Sequence, residues 1–148
     1  MPDKLFEMAE RHNIKIEYWD FSPPLEAVYL QFPGLPPVIG LARSLLHNRR
    51  HLRCVLAEEL GHHFTTVGEM VPKEYYHYSQ RLACSKAEYK ARKWAALYLI
   101  PRKQLEFVYW QGITERWEMA EYFNVTEDII EFRLKLQDIQ VISRYKTM

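Results

Sequence analysis

The stretch at residues 54–64, with the sequence CVLAEELGHHF, constrains the fold more than any other part of the chain. Four apolar residues spaced by four fall on one face of the α-helix that it predicts: Leu52, Leu56, Leu60 and Phe64. Four ionisable residues lie on the same helix within six consecutive positions: Glu58, Glu59, His62 and His63. Glu58 and His62 fall at the edge of the apolar face, whereas Glu59 and His63 fall within it, and a charged Glu inside a buried face is costly unless it is paired or ligated. This cost favours a functional role for these residues over a polar helix end.

Glu58 and His62 stand four residues apart, so they share one stripe of the helix and could converge on one cation. This is the spacing of the H-E-x-x-H motif, in which the two outer residues hold zinc and the second residue acts as general base. By that comparison Glu58 and His62 are ligands and Glu59 is the base, with Glu at the first His position. The other interpretation is a polar helix end that carries two ordinary Glu/His pairs.

A second predicted helix, from about Lys86 to Ile100, ends before Pro101 and carries small residues on its apolar stripe. Gly61 in the first helix costs about 1 kcal/mol relative to Ala, and such a glycine usually records the close approach of another backbone. We expect the two helices to pack closely, which would let Glu88 reach a shared metal. Basic residues of the second helix are assigned to its solvated face: Lys86, Lys90, Arg92 and Lys93.

Composition favours one globular domain in the cytoplasm. The chain has 148 residues, 48% of them hydrophobic, and a formal net charge of +1, which gives no general attraction to nucleic acid or to anionic membranes. It shows neither the apolar run of a signal peptide nor a stretch long enough to cross a membrane. Cys54 and Cys84 are expected to be reduced. Cys84 as a soft metal ligand is the less favoured alternative, because no second cysteine lies at ligand spacing.

The N-terminal third predicts a helix over residues 3–12 and two strands, over residues 14–18 and 27–32. Residues 35–39 form a further extended segment, and its two prolines cannot donate ladder hydrogen bonds, so we expect it at a sheet edge. An extended substrate could add to residues 35–41 as a further strand. Residues 69–84 are predicted to be a long loop, in which Tyr75, Tyr76 and Tyr78 either donate to a tetrahedral intermediate or pack over the core.

Residues 103–110 predict another helix, and residues 114–134 predict a helix, a tight turn at Asn124 and a second helix capped by Thr126. The pattern is typical of a helix-turn-helix. A DNA-reading helix needs basic or amide side chains at its start, whereas this one begins with Glu127 and Asp128. We therefore favour structural packing and expect no direct nucleic-acid binding, with a DNA-binding regulator as the less favoured alternative.

Three segments together resemble the ImmA/IrrE family of zinc-dependent metallopeptidases. Residues 56–62, LAEELGH, are similar to the family's L-A-H-E-L-G-H, and residues 88–101 are similar to its E-x-x-A-x-x-F-A segment ending in M-P. Residues 119–126, MAEYFNVT, match its C-terminal pattern, so the resemblance spans roughly residues 25–137. It implies an α+β, zincin-like metallopeptidase domain, mostly helical, with a small N-terminal β-sheet and a helical C-terminal cap.

We expect a single domain over residues 1–148, which comprises an N-terminal helix and sheet (1–47), the metal-site helices (48–111) and a helix-turn-helix-like cap (112–148). The resemblance implies cleavage of a helix-turn-helix repressor that silences a phage or mobile element. By motif position His62 is the second ligand, Glu88 the third and Glu59 the base.

Glu58 is the departure from the family pattern, because it stands where the family has the first His ligand. Two carboxylates and one imidazole nearly neutralise a divalent cation, and harder oxygen ligands shift selectivity from Zn²⁺ toward Mn²⁺ or a similar metal. The active hydrolase is favoured because Glu59 and Glu88 are retained. The alternative is a weak or inactive antirepressor of the same fold that binds a repressor without turnover.

Overall fold

The computed structural model describes residues 3–65 and 78–136, the second range with side chains from residue 86 onward. The elements follow in this order: α1 Lys4–Arg11, β1 Lys15–Trp19, β2 Ala27–Leu30, β3 Val38–Ala42, a 3₁₀ helix Arg43–His47, α2 Arg49–Thr65, α3 Tyr78–Leu99, α4 Arg102–Trp110, α5 Arg116–Phe123 and α6 Glu127–Leu134. This order confirms the predicted α+β class with a small N-terminal sheet. Helices long and apolar enough to cross a membrane do not occur among the described residues.

The chain forms two compact units, one up to Ala95 and the other from Ala96. Each is described by itself below. All four residues that the sequence assigns to the site lie in the first unit.

Helix α1 starts where its sequence provides a cap. The Leu5 backbone N–H donates to Asp3 Oδ1 at 3.0 Å, and Leu5 and Ala9 are buried on one face. Asn13, with φ of 57°, ends the segment in the left-handed region that asparagine tolerates. The chain then enters β1, as predicted.

The sheet has the order β1-β3-β2, with β3 parallel to β1 and antiparallel to β2. The predicted edge position of residues 35–39 is therefore wrong, because the strand in this region lies at the centre of the sheet. The reason is that β3 begins only at Val38, so both prolines precede the part of the strand that must donate on both sides. The Pro37 carbonyl still contributes, since it accepts from the Lys15 N–H at 2.9 Å.

Helix α2 follows its sequence pattern closely. Asn48 caps it, as predicted, by accepting from the His51 backbone N–H at 3.2 Å. The leucines at positions 52, 56 and 60 are buried, which confirms the predicted core face.

Helix α3 begins at Tyr78, so the prediction of a loop through residue 84 is wrong for residues 78–84. Residues 80–83, QRLA, are all good helix formers, and Ala83 continues the spacing of four set by Ala87, Ala91 and Ala95. The predicted loop residues 69–77, with Tyr75 and Tyr76, lie outside the described residues, and so does the side chain of Tyr78. The helix stops before Pro101, as expected.

In the second unit α5 and α6 form the predicted pair, joined by a turn in which Asn124 has φ of 56°. The two helices and their turn bury a common apolar set: Met119, Ala120, Phe123, Val125, Ile129 and Ile130. Arg133 is also buried, with 0% of its surface exposed, and its Nε donates to the Ile100 carbonyl at 2.7 Å. Glu127 and Asp128 are exposed at the start of α6.

Candidate metal centre

The site is built on a direct backbone contact between α2 and α3. A Cβ added to Gly61 would lie 2.3 Å from the Ala91 carbonyl oxygen and 2.9 Å from its Cα, both closer than real Cβ atoms come. Only glycine fits at this crossing. The contact confirms the prediction that Gly61 marks a close approach and that the small residues of α3 permit it.

This crossing brings together two of the residues predicted from sequence. His62 Nε2 lies 3.3 Å from Glu88 Oε2, although one residue belongs to α2 and the other to α3. The imidazole is buried, with 5% of its side chain exposed, whereas the Glu88 side chain is 51% exposed. A buried imidazole nitrogen thus meets the oxygen of a half-exposed carboxylate at this crossing.

Glu58 points to a different partner. Its Oε1 lies 3.7 Å from Arg92 Nε, and the two side chains are 33% and 41% exposed. Glu58 is therefore not gathered with His62 and Glu88 into a ready-made metal site, and among the described residues no three His, Cys, Asp or Glu side chains form one.

Glu59 is partly buried beside these groups. Burial raises the pKa of its carboxyl from 4.5 to about 7. The charge of His62 lowers this pKa, whereas the charges of Glu88 and Glu58 raise it further. A carboxyl with this pKa exchanges its proton near neutral pH, which is the property that a general base needs.

The neighbouring groups are also perturbed. Burial raises the pKa of Glu58, while the charge of Arg92 opposes that shift. Burial alone would lower the pKa of His62, but its hydrogen bond to Glu88 and the surrounding carboxylates outweigh burial and raise it. The site is a coupled set of acids around one imidazole, a pattern that is concentrated at functional sites.

Comparison with known proteins agrees with this geometry. The family model of the IrrE N-terminal-like domain matches residues 9–135. The chain belongs to this family. No curated protein and no solved structure matches the chain. The IrrE-like family consists of zincin-like metallopeptidases that act on protein substrates, so the match confirms the resemblance, the fold class and the metallopeptidase class.

An IrrE-like domain implies a metal, and the side chains present provide suitable donors for one. One imidazole and two carboxylates are ligands that a divalent cation accepts. His62 and Glu88 already meet at 3.3 Å, and Glu58 lies one helical turn before His62 on the same helix. His62 and Glu88 are therefore placed as two such donors, whereas the Glu58 carboxylate is paired with Arg92.

Two features of this IrrE-like site were not predicted. The assignment of Arg92 to a solvated face is wrong, because its guanidinium is half-buried against Glu58. The sequence feature that could have indicated this is the position of Arg92, one helical turn after Glu88 and next to Ala91, which lies at the helix crossing. The second feature is His63, whose Nδ1 lies 2.7 Å from the Tyr29 hydroxyl. Burial and the charge of His12 lower the pKa of His63, so this ring ties α2 to β2 as a neutral group.

Proposed function

We propose that the protein is a metal-dependent endopeptidase that cleaves a helix-turn-helix repressor and so derepresses a phage or mobile element. The observation that carries the proposal is the meeting of His62 and Glu88 at 3.3 Å beside Glu59, across a helix crossing that only glycine permits. Membership of a metallopeptidase family supports it independently. The proposal places the protein in the cytoplasm, where such a repressor acts.

The metal would be held by Glu58, His62 and Glu88, with Zn²⁺ as the first candidate and Mn²⁺ as the second. A divalent cation at this place supplies Lewis acidity to the peptide carbonyl. Glu59, with its pKa of about 7, takes a proton from the attacking water and returns it to the leaving amine. The backbone contact at Gly61 keeps His62 and Glu88 facing each other across the two helices.

An extended substrate would add to β2. This replaces the predicted strand addition at residues 35–41, because β3 is paired on both sides. Among the described strands β2 pairs with β3 alone, so its other edge is open to strand addition. The strand lies beside α2, since Tyr29 contacts His63, the residue after His62. A peptide on this edge would run close to the site.

Incubation with a candidate helix-turn-helix repressor, taken from the genes that neighbour this protein's own where one is encoded there, tests the proposal. The wild type with Zn²⁺ or Mn²⁺ should give defined fragments, and Glu59→Gln should slow cleavage at least about 100-fold, the usual contribution of a general base. Glu10→Gln, the same change at an exposed position of α1, serves as the control and should cleave normally. Full cleavage by Glu59→Gln would refute the mechanism.

The pairing of Glu58 with Arg92 favours a second candidate, an antirepressor of the same fold that binds the repressor without turnover. Metal analysis of protein purified without chelators separates the two. Stoichiometric metal supports the peptidase, whereas repressor binding by protein that stays metal-free in metal-replete medium supports the antirepressor.

A further inference from the structure

Arg92 lies where it can compete with a metal. It follows Ala91, whose backbone lies against Gly61 where α2 and α3 cross, so the position of the Arg92 backbone relative to α2 is fixed. From there its Nε reaches to 3.7 Å from Glu58 Oε1. Arg92 also lies one helical turn after Glu88. Arg92 thus shares a helix with Glu88 and forms an ion pair with Glu58.

The Glu58 carboxylate cannot form an ion pair with Arg92 and ligate a divalent cation at the same time. A carboxylate shared by both would bring three positive charges within a few ångströms of one another, in a partly desolvated place where repulsion is screened less than in water. Metal binding at Glu58 therefore requires the Arg92 side chain to withdraw. Its 41% exposure gives it a route into solvent.

We propose that Arg92 is an internal competitor for the third metal ligand: it holds Glu58 in the metal-free protein and raises the metal concentration that the site requires. This rests on the ligand set of the proposed function. Arg92 acts through Glu58 and is a positioning residue. The consequence is a site that stays closed at low divalent cation and opens when the cation is abundant.

The test is titration of the metal-stripped, full-length protein with Zn²⁺ in competition with a chromophoric chelator. Arg92→Gln removes the competitor for Glu58 and should tighten zinc binding about fivefold, the factor that corresponds to the roughly 1 kcal/mol of one partly exposed ion pair. Arg92→Lys keeps the charge and should remain close to the wild type. Lys93→Gln removes the same charge from an exposed position of the same helix and should leave the affinity unchanged.

Combining Arg92→Gln with Glu58→Gln shows whether the change in zinc affinity depends on Glu58. In Glu58→Gln, Arg92 has lost the carboxylate for which it competes, so adding Arg92→Gln should no longer tighten zinc binding. A purely structural role for Arg92 would give the same change in both backgrounds. Thermal unfolding of each metal-free variant verifies that it is folded.

The inference is overturned if Arg92→Gln binds zinc no more tightly than the wild type, or if Lys93→Gln gives an equal gain. Its failure is distinct from failure of the peptidase proposal. Full cleavage by Glu59→Gln refutes the peptidase mechanism and leaves the zinc titration intact, whereas an inactive Glu59→Gln with no Arg92 effect refutes the competitor alone. If no variant binds either Zn²⁺ or Mn²⁺, both proposals are wrong.

Discussion

The two units each shield an arginine from solvent, and they hold it in different ways. Arg133 in the second unit is fully buried and donates to a backbone carbonyl, that of Ile100. Arg92 in the first unit is half-buried and faces a carboxylate with a raised pKa, in a set of groups that exchange protons. A fixed carbonyl partner makes a structural link. A titratable partner that is also a proposed metal ligand makes a contact that we expect to change.

The helix crossing in the first unit should give the largest effect when broken. Gly61→Ala places a methyl group against the Ala91 carbonyl oxygen, a backbone atom that cannot turn away. We expect a loss of about 3 kcal/mol in the free energy of unfolding, the upper range for overpacking. Zinc binding should fall with it, because His62 and Glu88 separate. Urea unfolding measures the first effect, and a variant as stable as the wild type would contradict the contact.

The pH dependence of stability should reveal the proton exchange in the first unit. The folded state raises the pKa of Glu59 from 4.5 to about 7, so the folded protein binds this proton more tightly than the unfolded chain. The stabilisation is complete below pH 4.5 and is lost as the pH rises through about 7. Glu58 and His62, whose pKa values are also raised, act in the same direction, while His63 acts in the opposite one.

In metal-stripped protein, Glu59→Gln isolates the contribution of Glu59 to the pH dependence of the free energy of unfolding. The amide resembles the protonated carboxyl, so the variant should match the wild type below pH 4.5 and exceed its stability at pH 8 by up to about 3 kcal/mol. Urea unfolding at several pH values gives the two curves. Parallel curves would mean that Glu59 titrates as an ordinary carboxyl.

Arg133→Met tests the fixed arginine of the second unit. The change leaves the Ile100 carbonyl without this donor and should cost about 2 kcal/mol, with zinc affinity unchanged. Arg102→Met is the matched control, since Arg102 is half exposed in the same unit and pairs with Glu106 at 3.0 Å. It should cost less than about 0.5 kcal/mol. Equal losses from the two changes would remove the distinction between buried and exposed arginines.

Arg92→Gln should have the smallest effect on stability, below about 1 kcal/mol, because a partly exposed ion pair contributes little to folding. The same variant should show the change in zinc affinity proposed above. A large loss of stability would make Arg92 a structural residue like Arg133 and erase the contrast between the units.

Local sequence patterns predicted the parts of the molecule that neighbouring residues determine. The cap at Asn48, the buried leucines of α2 and the left-handed turn at Asn124 each depend on residues within one or two helical turns. The contact at Gly61 was also predictable, because a glycine inside a helix needs a reason and the small residues of α3 provided it.

The predictions that failed concern residues whose contacts are with partners distant in the chain. Pro36 and Pro37 indicated a sheet edge, but pairing with β1 and β2 places the following residues at the centre. Arg92 resembles the lysines around it in sequence, and its role becomes visible only when α2 brings Glu58 to it. Side-chain partners across elements are set by packing, which periodicity does not encode.

The contact between Gly61 and Ala91 is formed by backbone atoms. The distance between the helices that carry the proposed ligands His62 and Glu88 is therefore set by the two backbones and not by the surrounding side chains. Because backbone atoms cannot approach more closely, a ligand side chain can be replaced while the crossing of α2 and α3 keeps its geometry. In the proposed site, replacing the carboxylate at position 58 by an imidazole would change which cation is preferred without moving either helix. Glu58 would then alter the ligand chemistry and leave the backbone frame intact.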